Sequence, residues 1–300
     1  MSEQRFGRGE GGVGLLCMAY GSPRTEADIE AYYTNIRGGR PPSPESLEEL
    51  RQRYRAIGAS PLEAITRRQA AALGQRLGLP SFAGMKHAPP FIDEAVGQAR
   101  AAGVQRLVAL PLAPHFAEMS LGGYERAVRA SWDGPLVFVG GFHDHPAFAS
   151  AVRGLLKETV PDFRPDRLFF TAHSLPARIV REGDRYDERL LESCRLVAQG
   201  LDLPPWEFAF QSASTTGEPW LGPDLLTAIE GSGARRVLVC PIGFVADHLE
   251  ILYDLDVEAQ AFCRERGIEL RRTPSFNDRP DFIDALAAVV RDRLGAPLPG

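Results

Sequence analysis

The sequence lacks the features that mark nucleic-acid-binding, membrane-spanning and secreted proteins. Its formal net charge is -5 at pH 7, and no stretch alternates basic with aromatic residues, so nucleic acid is not expected as a partner. No apolar run reaches the 18 residues of a transmembrane helix, and the polar, glycine-rich beginning of the chain is unlike a signal peptide. We therefore expect a cytoplasmic protein without an integral membrane segment.

Cysteines and nucleotide-binding motifs are scarce as well. The four cysteines, Cys17, Cys194, Cys240 and Cys263, lie far apart without a C-x-x-C pair. This spacing argues against a disulfide framework and against an iron–sulfur cluster. There is no phosphate loop, and no G-x-G-x-x-G follows the first apolar run, which disfavours ATP and dinucleotide chemistry.

The chain contains one unit twice. Three segments recur in the same order: Leu15–Pro23 and Leu168–Pro176, Gly103–Pro111 and Gly233–Pro241, Phe142–Phe148 and Phe276–Phe282. A single match of this kind would be noise, but three matches in the same order indicate an ancient duplication. The repeat places Tyr20 and His173 at the same position, just past the first strand of their units.

Short apolar runs alternate with amphipathic stretches in both halves. We predict strands near 14–19, 82–86, 106–111, 136–139, 168–172, 207–211, 236–241 and 268–272. Strands that are apolar throughout and separated by helices indicate parallel sheets covered on both faces. The predicted fold is α/β, with two similar doubly wound, Rossmann-like domains, each built on a parallel four-stranded sheet. A pseudo-two-fold axis would relate them, with a ligand cleft between the strand ends.

The predicted domains span residues 13–150 and 151–300. The first carries an insertion at 25–60, and the last helix, 280–294, is expected to pack back on the first domain.

Two features of the second half are candidates for chemistry. His173 lies at a predicted strand end, where neutral imidazole could bind a metal or accept a proton. Further on, Glu250, Asp254 and Glu258 are spaced four apart, which on a helix puts them on one face among apolar neighbours. The alternative for this row is a solvated acidic face, but its apolar surroundings favour a path for cations or protons. His248 is expected to point to another face.

The insertion combines arginines with tyrosines, around Arg37, Arg53 and Tyr54. Arginine binds carboxylates with two hydrogen bonds, and tyrosine offers flat apolar area, so a flat ligand edged with carboxylates would suit this segment. Alternatively, these arginines pair with local glutamates. His115, a weaker candidate, also follows a strand, whereas His143 and His145 are assigned to loop structure.

At these residues the chain resembles the ferrochelatases from about Gly14 onward. The resemblance rests on three segments: Ala-His-Ser-Leu-Pro at 172–176, Gln211 with Trp220-Leu-Gly-Pro, and Pro-Ile-Gly-Phe-Val-Ala-Asp-His-Leu-Glu at 241–250. It implies that His173 and Glu250 are the facing catalytic and metal-site pair, with Asp254 and Glu258 continuing an acidic line.

Within that family the chain is most similar to the monofunctional bacterial enzymes that metallate coproporphyrin III. The resemblance implies that Tyr20 contacts the iron on the other face of the macrocycle. It also implies contacts to the macrocycle or its propionates from Arg37, Arg53, Tyr54, Ser60 and Tyr124. One residue is missing between Gly58 and Ser60 relative to the family pattern, so Ser60 matches least closely.

The resulting hypothesis is insertion of Fe²⁺ into coproporphyrin III in haem b biosynthesis, with no cofactor beyond the iron substrate. The alternatives are protoporphyrin IX as the substrate, cobalt as the metal, or a non-catalytic tetrapyrrole carrier. The expected partners are the porphyrin, ferrous iron and, transiently, the preceding or following enzyme of the haem pathway. We expect a monomer.

Overall fold

A computed structural model describes residues 12–214 and 217–295. Its strands within these residues are β1 (Val13–Ala19), β2 (Ser81–Met85), β3 (Arg106–Pro111), β4 (Leu136–Phe138), β5 (Arg167–His173), β6 (Trp206–Gln211), β7 (Arg236–Cys240) and β8 (Glu269–Arg272). Its α-helices there are α1 (Ile29–Ile36), α2 (Pro44–Ile57), α3 (Leu62–Leu77), α4 (Ile92–Ala101), α5 (Leu121–Ser131), α6 (Pro146–Phe163), α7 (Arg178–Arg181), α8 (Tyr186–Ala198), α9 (Leu225–Ser232), α10 (Leu249–Leu252), α11 (Gln260–Glu265) and α12 (Pro280–Gly295).

The strands form two four-stranded sheets with matching topology. Their orders are β2-β1-β3-β4 and β6-β5-β7-β8, and every neighbouring pair is parallel. The central strands β1 and β5 are almost entirely buried, because helices cover both faces of each sheet. The predicted α/β class and the two parallel four-stranded sheets are confirmed, and the equal strand orders are what a duplication would produce.

The two halves share their largest apolar core. One continuous cluster of buried side chains contains Leu15 and Val108 from the first sheet and Phe170 and Leu238 from the second. Helices α6 and α12 contribute to the same cluster, and α12 packs against both α3 and α6. The predicted domain division at residues 150 and 151 falls inside α6, which is the helix that connects the halves.

The insertion in the first half forms two helices that reach the second half. Buried Ile29 of α1 and buried Leu47 and Tyr54 of α2 make a small apolar cluster of their own. Leu249 of α10 packs against this cluster, so the insertion closes over the region that follows β7. No helix among the described residues has the length and apolar character needed to cross a membrane.

Candidate active site

Three elements of the second sheet bring polar side chains to one place. His173 is the last residue of β5, Gln211 is the last residue of β6, and the loop after β7 leads to Glu250 in α10. The carboxyl ends of neighbouring parallel strands meet at one edge of a sheet, where α/β proteins bind ligands. The strand order β6-β5-β7 therefore gathers these residues at that edge.

The imidazole of His173 faces the carboxylate of Glu250. Nε2 of His173 lies 3.4 Å from Oε1 of Glu250, while its Nδ1–H donates to the carbonyl of Ser174. The two side chains are 31% and 29% exposed, so both are accessible to a ligand. The structure thus brings together the two residues that the sequence singles out for metal and proton handling.

Each member of the pair shifts the pKa of the other. Burial by itself would lower the pKa of His173, but the Glu250 carboxylate overrides this and raises the pKa to about 9. Burial would likewise raise the pKa of Glu250, but the charges of His173 and His248 hold it well below its usual range. Near pH 7 the pair therefore consists of an imidazolium and a carboxylate.

The Gln211 side chain and the close approach of Gly243 position the segment that carries Glu250. The Gln211 amide donates to the carbonyl of Glu250 at 2.9 Å and accepts from the Thr171 hydroxyl at 2.8 Å. Gly243 lies against β5, where a Cβ atom would fall 2.4 Å from the Cβ of Ala172. Only glycine permits this approach of the loop to the strand, and the approach brings the segment before α10 next to His173.

The segment that carries the acidic row is not a continuous α-helix. Residues Asp254–Ala259 form a π-helical turn between α10 and α11, and the Glu258 N–H donates to the carbonyl of Tyr253, five residues earlier. The extra residue in this turn breaks the four-residue spacing of the predicted row. The sequence-based expectation of one helical face is therefore wrong, since Asp254 is buried but Glu258 is exposed.

Asp254 is the member of the row that the structure joins to the site. Its carboxylate accepts a hydrogen bond from the Ser212 hydroxyl, and the Arg53 guanidinium lies 3.9 Å away. Burial raises the pKa of Asp254 to about 6, with a further increase from Glu250 and opposition from Ser212 and Arg53. An acid that titrates near neutrality can both accept and release protons there.

The first half contributes aromatic residues to the same site. Tyr20 directly follows β1, is 41% exposed and packs on the His87 ring, with 4.5 Å between centroids. Burial and the Glu250 charge both raise the pKa of Tyr20, Tyr54 and Tyr124. These three hydroxyls, all predicted substrate contacts, therefore lie in the field of the carboxylate from the second half.

Three predicted contacts lie on the insertion. Arg53 stacks on Tyr253, 5.3 Å from the ring centroid, and pairs with Glu49. Arg37 follows α1 and lies 5.8 Å from the Tyr33 ring centroid. The Ser60 hydroxyl accepts a hydrogen bond from the backbone N–H that begins α3. In residues 12–214 and 217–295, neither Arg37 nor Ser60 forms a hydrogen bond or ion pair with His173 or Glu250.

His248 is the residue that sequence reasoning placed wrongly. Its Nε2 lies 3.6 Å from Oε2 of Glu250, and its Nδ1–H donates to the Ala246 carbonyl at 2.9 Å. The residue precedes α10 in an extended conformation, so helical spacing does not describe its direction. The carboxylate of Glu250 thus lies between two imidazoles.

Three further histidines lie outside this pair. His145 caps α6 and contacts Asp292, and His143 contacts Glu192. His115 is buried, and neither of its ring nitrogens has a hydrogen-bond partner among the described residues. No group of three or more histidine, cysteine, aspartate or glutamate side chains in that part of the chain is arranged to hold a metal ion. All four cysteines are buried and unpaired.

Known proteins match this chain over nearly its whole length. The ferrochelatase family profile matches residues 12–294. A protein named coproporphyrin III ferrochelatase from Halalkalibacterium halodurans is 43% identical over 301 residues, covering 94% of this chain and 97% of that protein. A ferrochelatase from Herpetosiphon aurantiacus is 40% identical over 296 residues, covering 92% and 97%.

Solved structures agree on the fold. SirB from Bacillus subtilis with Fe³⁺ superposes with a TM-score of 0.60 at 10% identity, covering 95% of this chain and 96% of that one. At this identity the likeness concerns the fold alone. The profile match and the two close relatives go further, and they show that this chain belongs to the ferrochelatase family.

Proposed function

We propose that the protein inserts Fe²⁺ into coproporphyrin III and forms iron coproporphyrin III. The observation that carries this proposal is the imidazole–carboxylate pair of His173 and Glu250, 3.4 Å apart, at the edge that Tyr20 borders from the other half. The relatives named coproporphyrin III ferrochelatase support the choice of porphyrin. Iron is a substrate in this reaction, and we propose that no further cofactor is needed.

Insertion exchanges two pyrrole protons for one Fe²⁺, so the site must accept protons and admit a cation. With the pKa of His173 near 9 and that of Glu250 well below its usual range, the resting pair already holds one proton on the imidazole. Because the imidazolium keeps the pKa of Glu250 low, its carboxylate becomes an effective acceptor for a pyrrole proton only once the proton of His173 has left. His173 can bind the metal only after its own proton has left.

Asp254 is suited to remove protons from this pair. Its pKa of about 6 allows it to exchange protons near neutrality. It is buried on one side and faces Arg53 of the insertion on the other. The cleft also has to stabilise a bent macrocycle, because bending exposes the pyrrole lone pairs. A cleft that fits the bent ring better than the flat ring lowers the barrier by differential binding.

A tetrapyrrole carrier is the competing function from another class. A carrier would need the cleft and its cations but no paired imidazole and carboxylate. Anaerobic turnover of coproporphyrin III with Fe²⁺, followed by absorbance, separates the two functions. We expect His173→Ala and Glu250→Gln to lower kcat by about 10²–10⁴-fold. His143→Ala, which changes an imidazole outside the site, should keep the wild-type rate.

Near-normal turnover in both site variants would overturn this assignment of the pair. The substrate is tested separately by initial rates with coproporphyrin III and protoporphyrin IX, and the metal by rates with Fe²⁺ and Co²⁺. A clear preference for protoporphyrin IX or for cobalt would overturn the corresponding part of the proposal. The expected monomeric state and cytoplasmic location rest on sequence alone and stay predictions.

A further inference from the structure

Lysine is rare in this chain, and one of its lysines lies beside the candidate active site. Of 34 lysines and arginines only two are lysines, Lys86 and Lys157. Lys157 is exposed on α6. Lys86 instead directly follows β2, and its backbone N–H donates to the carbonyl of Ala19 at 2.9 Å. It therefore lies at the carboxyl end of the first sheet, beside the turn that carries Tyr20.

No anionic side chain among the described residues pairs with the ammonium group of Lys86. Its Nζ lies 5.4 Å from the ring centroid of Tyr124, and no carboxylate among the described residues comes within ion-pair distance of it. Its pKa is lowered by burial and by the nearby charge of Arg126. A half-buried cation beside a second cation gains more from an added anion than a fully solvated one does.

The surroundings of Lys86 connect it to the same site as the metal pair. Tyr124 is only 5% exposed, and burial, Tyr20 and Glu250 all raise its pKa. The charge of Glu250 therefore acts on the Tyr124 hydroxyl, and the ring of Tyr124 contacts the ammonium group of Lys86. Lys86 is therefore connected to the site through its contact with Tyr124, a predicted contact of the macrocycle.

Gly123 leaves the space that this arrangement needs. A Cβ atom at position 123 of α5 would lie 2.6 Å from Nζ of Lys86. Glycine in a helix interior is less stable than alanine, yet at this position it leaves room for the ammonium group of Lys86. Two observations therefore point to the same place in the first half. The ammonium group of Lys86 has no anionic partner among the described residues, and Gly123 leaves space beside it.

We propose that Lys86 binds a propionate of the porphyrin, as a carboxylate site separate from the arginines of the insertion. This inference rests on the proposed function. Coproporphyrin III carries a propionate on each of its four rings, whereas protoporphyrin IX carries only two in total. Arg37 follows α1 and Arg53 lies in α2, whereas Lys86 faces α5. Lys86 is therefore a determinant of selectivity for the porphyrin with more carboxylates.

The test compares Lys86→Met with Lys86→Arg and with Lys157→Met as the matched control. Loss of a charge-assisted hydrogen bond predicts that Lys86→Met raises KM for coproporphyrin III about tenfold or more, with kcat unchanged. KM for protoporphyrin IX should stay unchanged. Lys86→Arg should retain most of the affinity, and Lys157→Met all of it. An unchanged KM for coproporphyrin III, or equal increases for both porphyrins, would overturn the proposal.

A variant that keeps the charge tests the geometry. Gly123→Ala should displace the ammonium and raise KM for coproporphyrin III, although alanine favours the helix and should raise the melting temperature. A higher melting temperature with an unchanged KM would count against the proposed contact.

Binding measurements keep this inference distinct from the proposed function. Quenching of porphyrin fluorescence gives Kd for metal-free coproporphyrin III without turnover, so an enzyme that inserted no iron would refute the function while Lys86 remained testable. An amine-reactive acylating reagent followed by mass spectrometry provides a second readout. Coproporphyrin III should protect Lys86 and not Lys157. Equal labelling of Lys86 with and without the porphyrin would contradict the contact.

Discussion

Single side chains determine the proton balance of the site. The structure places two imidazoles around one carboxylate, with His173 and His248 at 3.4 and 3.6 Å from Glu250. Because all three are largely screened from water, each charge changes the protonation of its neighbours more than it would in solvent. The titration of His173 is therefore a direct measure of whether Glu250 is in place.

The pH behaviour of His173 can be measured by NMR. In the wild type we expect its imidazole to titrate with a midpoint near 9. In Glu250→Gln the charge that raises the pKa is absent and burial still lowers it, while the Ser174 hydrogen bond and Asp254 still raise it, so the midpoint should fall well below 9. An unchanged midpoint would contradict the assigned partner. His143→Ala provides the matched spectrum with one other imidazole removed.

The same pair makes stability depend on pH. The raised pKa of His173 contributes stability that is fully present below 6.5 and is lost as pH rises towards about 9. The lowered pKa of Glu250 contributes stability that is present above 4.5 and is lost as pH falls. Denaturant unfolding should therefore show the largest difference between wild type and Glu250→Gln from pH 4.5 to 6.5. A difference that does not change with pH would contradict the pairing.

At the scale of elements, the π-helical turn decides which acidic residues join the site. Arg272 of β8 connects both ends of this segment, because it pairs with Asp256 in the turn at 2.7 Å and with Asp247 before α10 at 3.3 Å. Asp247 also accepts hydrogen bonds from Ser275 and Asn277. The network fastens the segment that carries Glu250 to the edge of the second sheet.

Removing Arg272 should affect both stability and turnover. We expect Arg272→Met to lower the free energy of unfolding by about 1–3 kcal/mol, because it leaves the partly buried Asp247 and the exposed Asp256 without their cation. The segment that carries Glu250 would then no longer be held at both ends by Arg272. The carboxylate of Glu250 would be less well positioned, so we expect kcat to fall by a larger factor than KM rises. The neighbouring Arg271→Met removes an exposed pair with Asp162 and should cost less than about 1 kcal/mol. Equal effects of the two substitutions would show that Arg272 does not position the segment.

At the scale of the whole molecule, α12 joins the two halves. It closes the chain, yet it packs against α3 of the first half and α6 between the halves. Leu286 of α12 is fully buried in the core that both sheets share. The two halves therefore rest on a common core, and their relative position depends on the packing of this last helix.

A substitution in α12 should destabilise both halves together. We expect Leu286→Ala to lower the free energy of unfolding by about 2–5 kcal/mol through the cavity it leaves. Calorimetry should still show a single transition, at a lower temperature. Asp284→Ala on the same helix removes an exposed pair with Arg76 and should cost less than about 1 kcal/mol. Two separate transitions in Leu286→Ala would contradict a shared core.

The sequence by itself determined the strands, the repeated unit and the chemical identity of the pair. Apolar runs and strand-end polar residues are local patterns, and each predicted strand lies within a few residues of the observed one. His173 and Glu250 were recognisable because strand ends in α/β sheets carry function and because their flanking segments resemble the ferrochelatases.

Only the tertiary structure decided how these residues act. The distance between His173 and Glu250, the raised pKa of His173 and the position of His248 depend on which strand ends meet and how much water they exclude. Helical spacing failed at Glu258 because the π-helical turn adds a residue to the segment, and nothing in the spacing of the charges indicates this. Lys86 likewise became notable only once folding had placed it beside Tyr124 without a carboxylate. Desolvation and long-range pairing arise from packing, and local sequence periodicity does not report them.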